Sequence, residues 1–241
     1  MFMAEGRAKQ MPVIAVANPK GGAGKSTSTI LLGTHLAHRG ASTCIIDADP
    51  NQTITDWKIN GNSKSALKVV AGPTENSILD IIEDQAKENA FVFVDLEGTA
   101  SLLVSRAIAY ADYVIIPIQA SAVDVRQAQK AINAVRNEEK LAQRLVPTKT
   151  IPHKVLLTRT PAPGAPVPKT QKRLEGEIEA VGIPRFAVSL AERQAFKALF
   201  LERLALEELE ASQVGNLEAA LTNVRQLTDE LLAALKAIQG R

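Results

Sequence analysis

The chain has 241 residues, 46% of them hydrophobic and 22% charged, with a formal net charge of +2 at pH 7, which suits a soluble α/β domain with a sizeable core. No apolar run reaches the ~20 residues of a membrane span, and the polar, basic opening lacks the apolar centre of a secretory signal, so residues 1–11 are expected as a flexible tail and 12–241 as a single domain. The lone cysteine, Cys44, excludes an internal disulfide and a cysteine-ligated zinc or iron–sulfur site within one chain, and it fits the reducing cytoplasm.

In chain order, buried strands are expected at Val13–Ala17, Thr43–Ile46, Phe91–Val94, Tyr113–Ile118 and Lys154–Leu157, all short, β-branched and apolar on both faces. Helices are expected at Ser26–His38, Ser77–Asn89, Leu102–Tyr110 and Val123–Leu145. This alternation predicts a mainly parallel β-sheet flanked by helices on both faces, with ligands bound beyond the carboxyl ends of the strands. Four prolines around Gly164 make Thr160–Lys169 a stiff surface loop, with a linker between two domains as the alternative; Val155–Leu157 and Phe186–Val188 read as strand-like on either side. In the last segment Leu217, Leu221, Val224, Leu231, Leu235 and Ile238 form one stripe, the pattern of a helix packed on the body rather than on a membrane. Between Lys149 and Phe200 nine Lys/Arg face four Glu, a local anion-surface signal that an ordinary solvated face would also give.

Three motifs sit at strand ends. After the first strand comes Lys20-Gly21-Gly22-Ala23-Gly24-Lys25-Ser26-Thr27, then a helix. A strand, a glycine-rich turn and a helix N-terminus make a phosphate cradle, because backbone N–H groups can converge on phosphate oxygens without side chains in the way. Lys25 supplies charge at the β- and γ-phosphates, the Ser26 hydroxyl is placed for Mg²⁺, and Thr27 can donate to the α-phosphate. After the second strand, Asp47-Ala48-Asp49-Pro50 puts two carboxylates at the same crevice, suited to a water-bridged Mg²⁺ and to orienting a water. The third motif is an apolar strand ending in Asp95, followed by Leu96-Glu97-Gly98. It reads as a metal-supporting aspartate with the Gly98 N–H offered to the γ-phosphate, and Glu97 adds negative charge beside it.

The fixed positions of Lys20 to Thr27 resemble the deviant Walker A signature of ParA/MinD-type P-loop ATPases, and Asp47-x-Asp49-Pro50 resembles their first switch. With Thr55-Asp56-Trp57, Leu157-Thr158-Arg159 and Glu192 to Lys197, the chain is most similar to the short plasmid-partition ATPases of the ParF type, from about Val13 to Lys197. The resemblance implies ATP and Mg²⁺ as cofactors and an ATP-bound homodimer in which Lys20 reaches the partner's phosphates. It also implies that Asp49 positions the attacking water, that Asp47 supports the metal shell, and that Thr158 and Arg159 lie near the adenine. Further implied are non-specific DNA binding, with Lys169, Lys172, Arg173, Arg193 and Lys197 as candidates, a nucleoid location, and a small centromere-binding or cargo-adaptor protein as the stimulating partner. No membrane partner is expected. Other cargo, transfer DNA, a MinD-type membrane cycle and an ATP-dependent ligase on the same scaffold are the alternatives.

Overall fold

Branched aliphatic and aromatic residues dominate the strands, and in the computed structural model, which describes residues 11–119, 122–180 and 182–239, they assemble one seven-stranded sheet. The expected tail lies outside the described residues apart from Met11. The elements in order are β1 (Val13–Val16), α1 (Lys25–His38), β2 (Thr43–Ala48), α2 (Thr53–Ile59), β3 (Lys68–Ala71), α3 (Ile78–Glu88), β4 (Phe91–Leu96), α4 (Leu102–Tyr110) and β5 (Tyr113–Gln119). They continue with α5 (Ala122–Gln143), β6 (His153–Thr160), α6 (Lys169–Ala180), β7 (Leu190–Ala191), α7 (Gln194–Ala198), a π-turn (Leu199–Arg203), a 3₁₀ turn (Leu206–Glu208) and α8 (Leu217–Gln239).

The sheet order is β3-β2-β4-β1-β5-β6-β7, and every pairing is parallel. Parallel neighbours need helical crossovers, which is why both faces are covered and the strands can be apolar on both sides. The period of two is visible in β1, where Ile14 and Val16 join one core and Val13 and Ala15 the other. The first core packs under α1, α2 and α8; the second packs under α3, α4, α5 and α6. In α8, Val224, Leu231 and Leu235 are buried, and Leu217, Leu221 and Ile238 pack partly buried on the same core, so the stripe faces the body. No helix among the described residues is long and apolar enough to cross a membrane.

One expected strand needs correction, and the proline-rich loop is found as expected. Phe186–Val188 is not a strand: an isolated parallel bridge joins Arg185 to Val155 and the Phe186 N–H donates to Val155 O (2.9 Å), but the ladder stops there, Phe186 packs edge-to-face with Tyr113 at a centroid distance of 6.3 Å, and the next paired strand is Leu190–Ala191. Its ring serves the core, and its backbone pairing ends after one bridge. The proline-rich segment is an exposed connection between β6 and α6, and β6 and β7 on either side of it belong to the same sheet. Strands β2 and β4 also run two residues past their expected ends, through Asp47-Ala48 and Asp95-Leu96, which carries both carboxylates onto the sheet itself.

Candidate functional site

The chain leaves β1 at the centre of the sheet and turns sharply. Asn18, almost fully buried, fixes the turn: its Nδ2 donates to Pro117 O on β5 (2.5 Å) and its Oδ1 accepts the Lys20 N–H (2.7 Å). Gly24 takes φ 96°, and a Cβ there would lie 3.2 Å from Thr158 Cγ2, so the last glycine before α1 answers both a left-handed backbone and a close approach. Thr158 holds the loop from β6, its hydroxyl placed to donate to Ala23 O (2.8 Å) and to Ile118 O (3.1 Å). No side chain caps α1, so its first-turn N–H groups face the crevice as an anion site.

Lys25, at the first position of α1, is only 6% exposed, and its Nζ reaches Lys20 O at 3.5 Å. An ammonium group this buried calls for opposite charge nearby. Lys20 sits half-buried at the loop's start. Gly98 packs against this same stretch: a Cβ on it would lie 3.3 Å from Pro19 O and 3.5 Å from Gly21 N.

Asp47 and Asp95 are register partners on adjacent strands, and both are fully buried. Asp95 accepts the hydroxyls of Ser26 (2.6 Å) and Thr29 (3.1 Å). Burial pushes the Asp95 carboxyl up to about 7; the Ser26 hydrogen bond opposes this, and the charge of Asp47 adds to it. Asp47 Oδ2 accepts the Thr55 N–H (2.8 Å) and hydroxyl (2.9 Å), while its Oδ1 is buried with no hydrogen-bond partner. Burial raises the Asp47 pKa too, with the Thr55 hydrogen bonds working against it.

Two neighbouring buried carboxylates, one with an orphaned oxygen, beside a serine hydroxyl form a hard-oxygen set that fits Mg²⁺. Among the described residues no group of three or more His, Cys, Asp or Glu could hold a metal alone. Mg²⁺ is commonly held by one or two carboxylates and completes its shell with waters and substrate phosphates. Asp49 stands at the cleft wall with Oδ1 fixed by the Asn51 N–H and side-chain amide, both at 2.9 Å; Glu97, Gly98 and Thr99 line the same cleft.

A second cavity opens beside the loop, walled by Thr27, Thr158, Arg159, Phe196 and Lys197. Arg159 takes φ 51° at an irregularity between Thr158 and Thr160, and it borders this cavity and the phosphate-side cleft alike. The structure therefore brings together the loop residues, Asp47, Asp49, Asp95, Gly98, Thr158 and Arg159. It divides the five basic candidates. Lys169, Lys172 and Arg173 are exposed on α6, whereas Arg193 and Lys197 border the second cavity, Lys197 paired with Glu192 at 2.9 Å. Sequence reasoning missed Asn18, Thr29 and Phe200. Thr29 lay one helical turn after Lys25 on the face toward Asp95, a usable signal; Phe200, which lines both cavities, gave none.

The family model described as VirC1 protein matches residues 11–239. Protein ParA of Rhizobium radiobacter is 35% identical over 215 residues, covering 88% of this chain and 92% of its own length. Protein virC1 of the same organism is 28% identical over 194 residues, 78% of this chain and 80% of its own. Among solved structures, Cyanothece McdA in an ATP complex superposes with a TM-score of 0.74 at 17% identity, over 93% of this chain and 97% of that one. That likeness is one of fold.

Proposed function

The chain belongs to the VirC1 protein family, within the ParA/MinD type of P-loop ATPases, and from that premise we propose that it binds ATP with Mg²⁺, closes into a twofold dimer around it, and hydrolyses it to move DNA. Residues 12–241 act in this reading as one domain. The observation that carries it is the convergence on one crevice of the buried Lys25, the uncapped start of α1 and the in-register carboxylates Asp47 and Asp95.

Each group has a part. Residues 21 to 27 bind the phosphates through backbone N–H groups, the Lys25 ammonium and the hydroxyls of Ser26 and Thr27. Ser26, backed by Asp95 and Asp47, would hold Mg²⁺, which when bound neutralises charge on the β- and γ-phosphates. Asp49 orients the attacking water, the Gly98 N–H meets the γ-phosphate, and Thr158 with Arg159 borders the base. Lys20 serves the opposite subunit, a cation supplied in trans to charge that develops during phosphoryl transfer. The γ-phosphate contacts favour the closed dimer, and hydrolysis removes that bias.

The closed dimer holds DNA without reading its sequence, through exposed cations such as Lys169, Lys172 and Arg173, with Arg193 and Lys197 nearer the nucleotide. A small centromere-binding or adaptor protein on the cargo stimulates hydrolysis and release, and the cargo is plasmid or chromosomal DNA. A second reading keeps the engine and changes the load to transfer DNA or another cargo; the matching family model, that of VirC1 rather than of a partition protein, favours it. An ATP-dependent mobility shift of unrelated DNA at two salt concentrations tests the core of both. Retention should need ATP and fall at least about tenfold between low and moderate salt, since several phosphate contacts release counterions. Retention indifferent to nucleotide, or none at all, would overturn the DNA-bound switch.

A further inference from the structure

Two walls of the nucleotide cleft, far apart in sequence, are joined behind the cleft by residues that line neither. One wall is the loop from Asp49 to Gln52. Gln52 donates its N–H to Asp49 O (2.9 Å) and takes φ 46°, so α2 starts directly from this loop, and Thr55 in its first turn is held by Asp47. The other wall is α7 with the π-turn, which contributes Phe196, Lys197 and Phe200 to the base-side cavity.

The join has three parts. Trp57 is 1% exposed, and its indole N–H donates to Leu199 O at 2.9 Å. Arg203, the last residue of the π-turn, pairs with Asp56 (2.9 Å) and donates to Asn60 O (3.2 Å). Gly61 permits the close fit: a Cβ on it would stand 2.2 Å from Trp57 O and 2.7 Å from Arg203 O. The Asp56–Arg203 pair is half exposed, and such a pair alone adds little stability. Yet around it the chain maintains a π-turn and a non-glycine residue at φ 51°, both locally unfavourable and both kept only where surrounding contacts over-determine them. The buried Trp57 and Leu199 hold this strained turn in place, and a backbone outlier held beside a ligand cleft points to a geometry kept for function.

We infer that Asp56, Trp57 and Arg203 are positioning residues, a joint that keeps the Asp49 loop in register with the Phe196–Phe200 wall so that the phosphate and base ends of the cleft respond to nucleotide as one unit. The inference rests on the ATPase reading above. It carries its own reporter, because Trp57 is the chain's only tryptophan. Its emission should shift when Mg²⁺ and a non-hydrolysable ATP analogue are added to the intact protein, with binding measured separately by equilibrium dialysis. Arg203→Ala should keep the dissociation constant within about threefold, lose most of the emission shift, and lower kcat about tenfold with little change in KM, since a displaced Asp49 costs rate rather than ground-state binding. Arg203→Lys should restore part of both, and adding Asp56→Asn to Arg203→Ala should do no further harm, because the two act as one unit. If Arg203→Ala fails to fold, as judged by circular dichroism, Arg203→Lys and Asp56→Asn carry the same comparison. A parent that binds the analogue while Trp57 emission stays fixed, or an Arg203→Ala protein with parental shift and kcat, overturns the joint alone. A parent that binds no nucleotide in dialysis overturns the ATPase reading and the joint with it.

Discussion

Lys25 occupies a place where an ammonium has one distant carbonyl, Lys20 O at 3.5 Å, and is almost sealed from water. Asp47 and Asp95 are in the complementary position, two carboxyl groups side by side whose protonated forms are favoured by burial. Asp47 Oδ1 lacks a hydrogen bond and the Lys25 ammonium is met by the charge of Asp95, so a phosphate with its cation would engage all three groups, and ligand binding and local stability are linked through the same atoms. Lys25→Ala should therefore raise the dissociation constant for ATP by about a hundredfold or more, measured with a fluorescent nucleotide, since a charge-assisted contact and its electrostatic field go together. Lys20→Ala should leave binding within about tenfold while mass measurement with ATP shows monomer and turnover falls by about a thousandfold or more, the scale of a cation supplied in trans. Parental dimerisation and turnover in that variant would remove Lys20 from the mechanism. At this scale the sequence was most readable where chemistry and position coincide. Asp95 ends an apolar run, so a charge there had to be functional or paired. Asn18 was illegible, because a buried amide looks like an ordinary residue until Pro117 is seen opposite it, whereas Thr29 was marked by its spacing from Lys25 and went unread until Asp95 was seen opposite it.

Among the elements, β6 shows how a strand can be bent to a purpose. Its pairing with β7 slips between Thr158 and Thr160, and Arg159 absorbs the irregularity at φ 51°. An arginine there is strained by about 1–3 kcal/mol relative to a relaxed backbone, whereas asparagine tolerates the left-handed region. Arg159→Asn should consequently hold or raise the melting temperature while weakening nucleotide affinity; loss of both together would mean that Arg159 is structural. The same bend explains why the sheet's last strand escaped notice. Leu190–Ala191 is two residues long, and the more apolar Phe186–Val188 beside it drew the assignment, although Phe186 spends its ring on the core. Strand β3 hid for a related reason: Lys68 and Ala71 are exposed at the sheet's edge, so no continuous apolar run marks it. Helix α2 is a single seven-residue element rich in Thr and Ile, held by Asp47 and Trp57 rather than by its own propensity. Helix α6 begins directly after the prolines and carries Gly176 in its middle, which masks it from any periodicity search.

For the molecule as a whole, the alternation of strands and helices made the parallel sheet legible, and the strand ends then located the crevice before any motif was considered. What the alternation could not convey was the order of strands, since periodicity records burial and not neighbours. The two cores on either side of the sheet have different closures, and α8 seals the one beneath α1. Leu231 is fully buried there, so Leu231→Ala should cost about 2–5 kcal/mol in chemical denaturation; a change below about 0.5 kcal/mol would mean that α8 is only draped on the body. The central place of β1 has a temporal side as well. Its partners are Val92 to Asp95 and then Tyr113 to Ile115, and Asn18 and Ala17 are tied to Pro117 and Ile115. During synthesis, then, the glycine loop leaves the ribosome early, while the supports that shape it, on the fifth and sixth strands, follow much later. Contacts so distant along the chain are slow to form. A nascent polypeptide halted before Tyr113 carries every residue of the glycine loop but neither β5 beside it nor Thr158 behind it, so nucleotide capture during synthesis is expected only once β6 has been made.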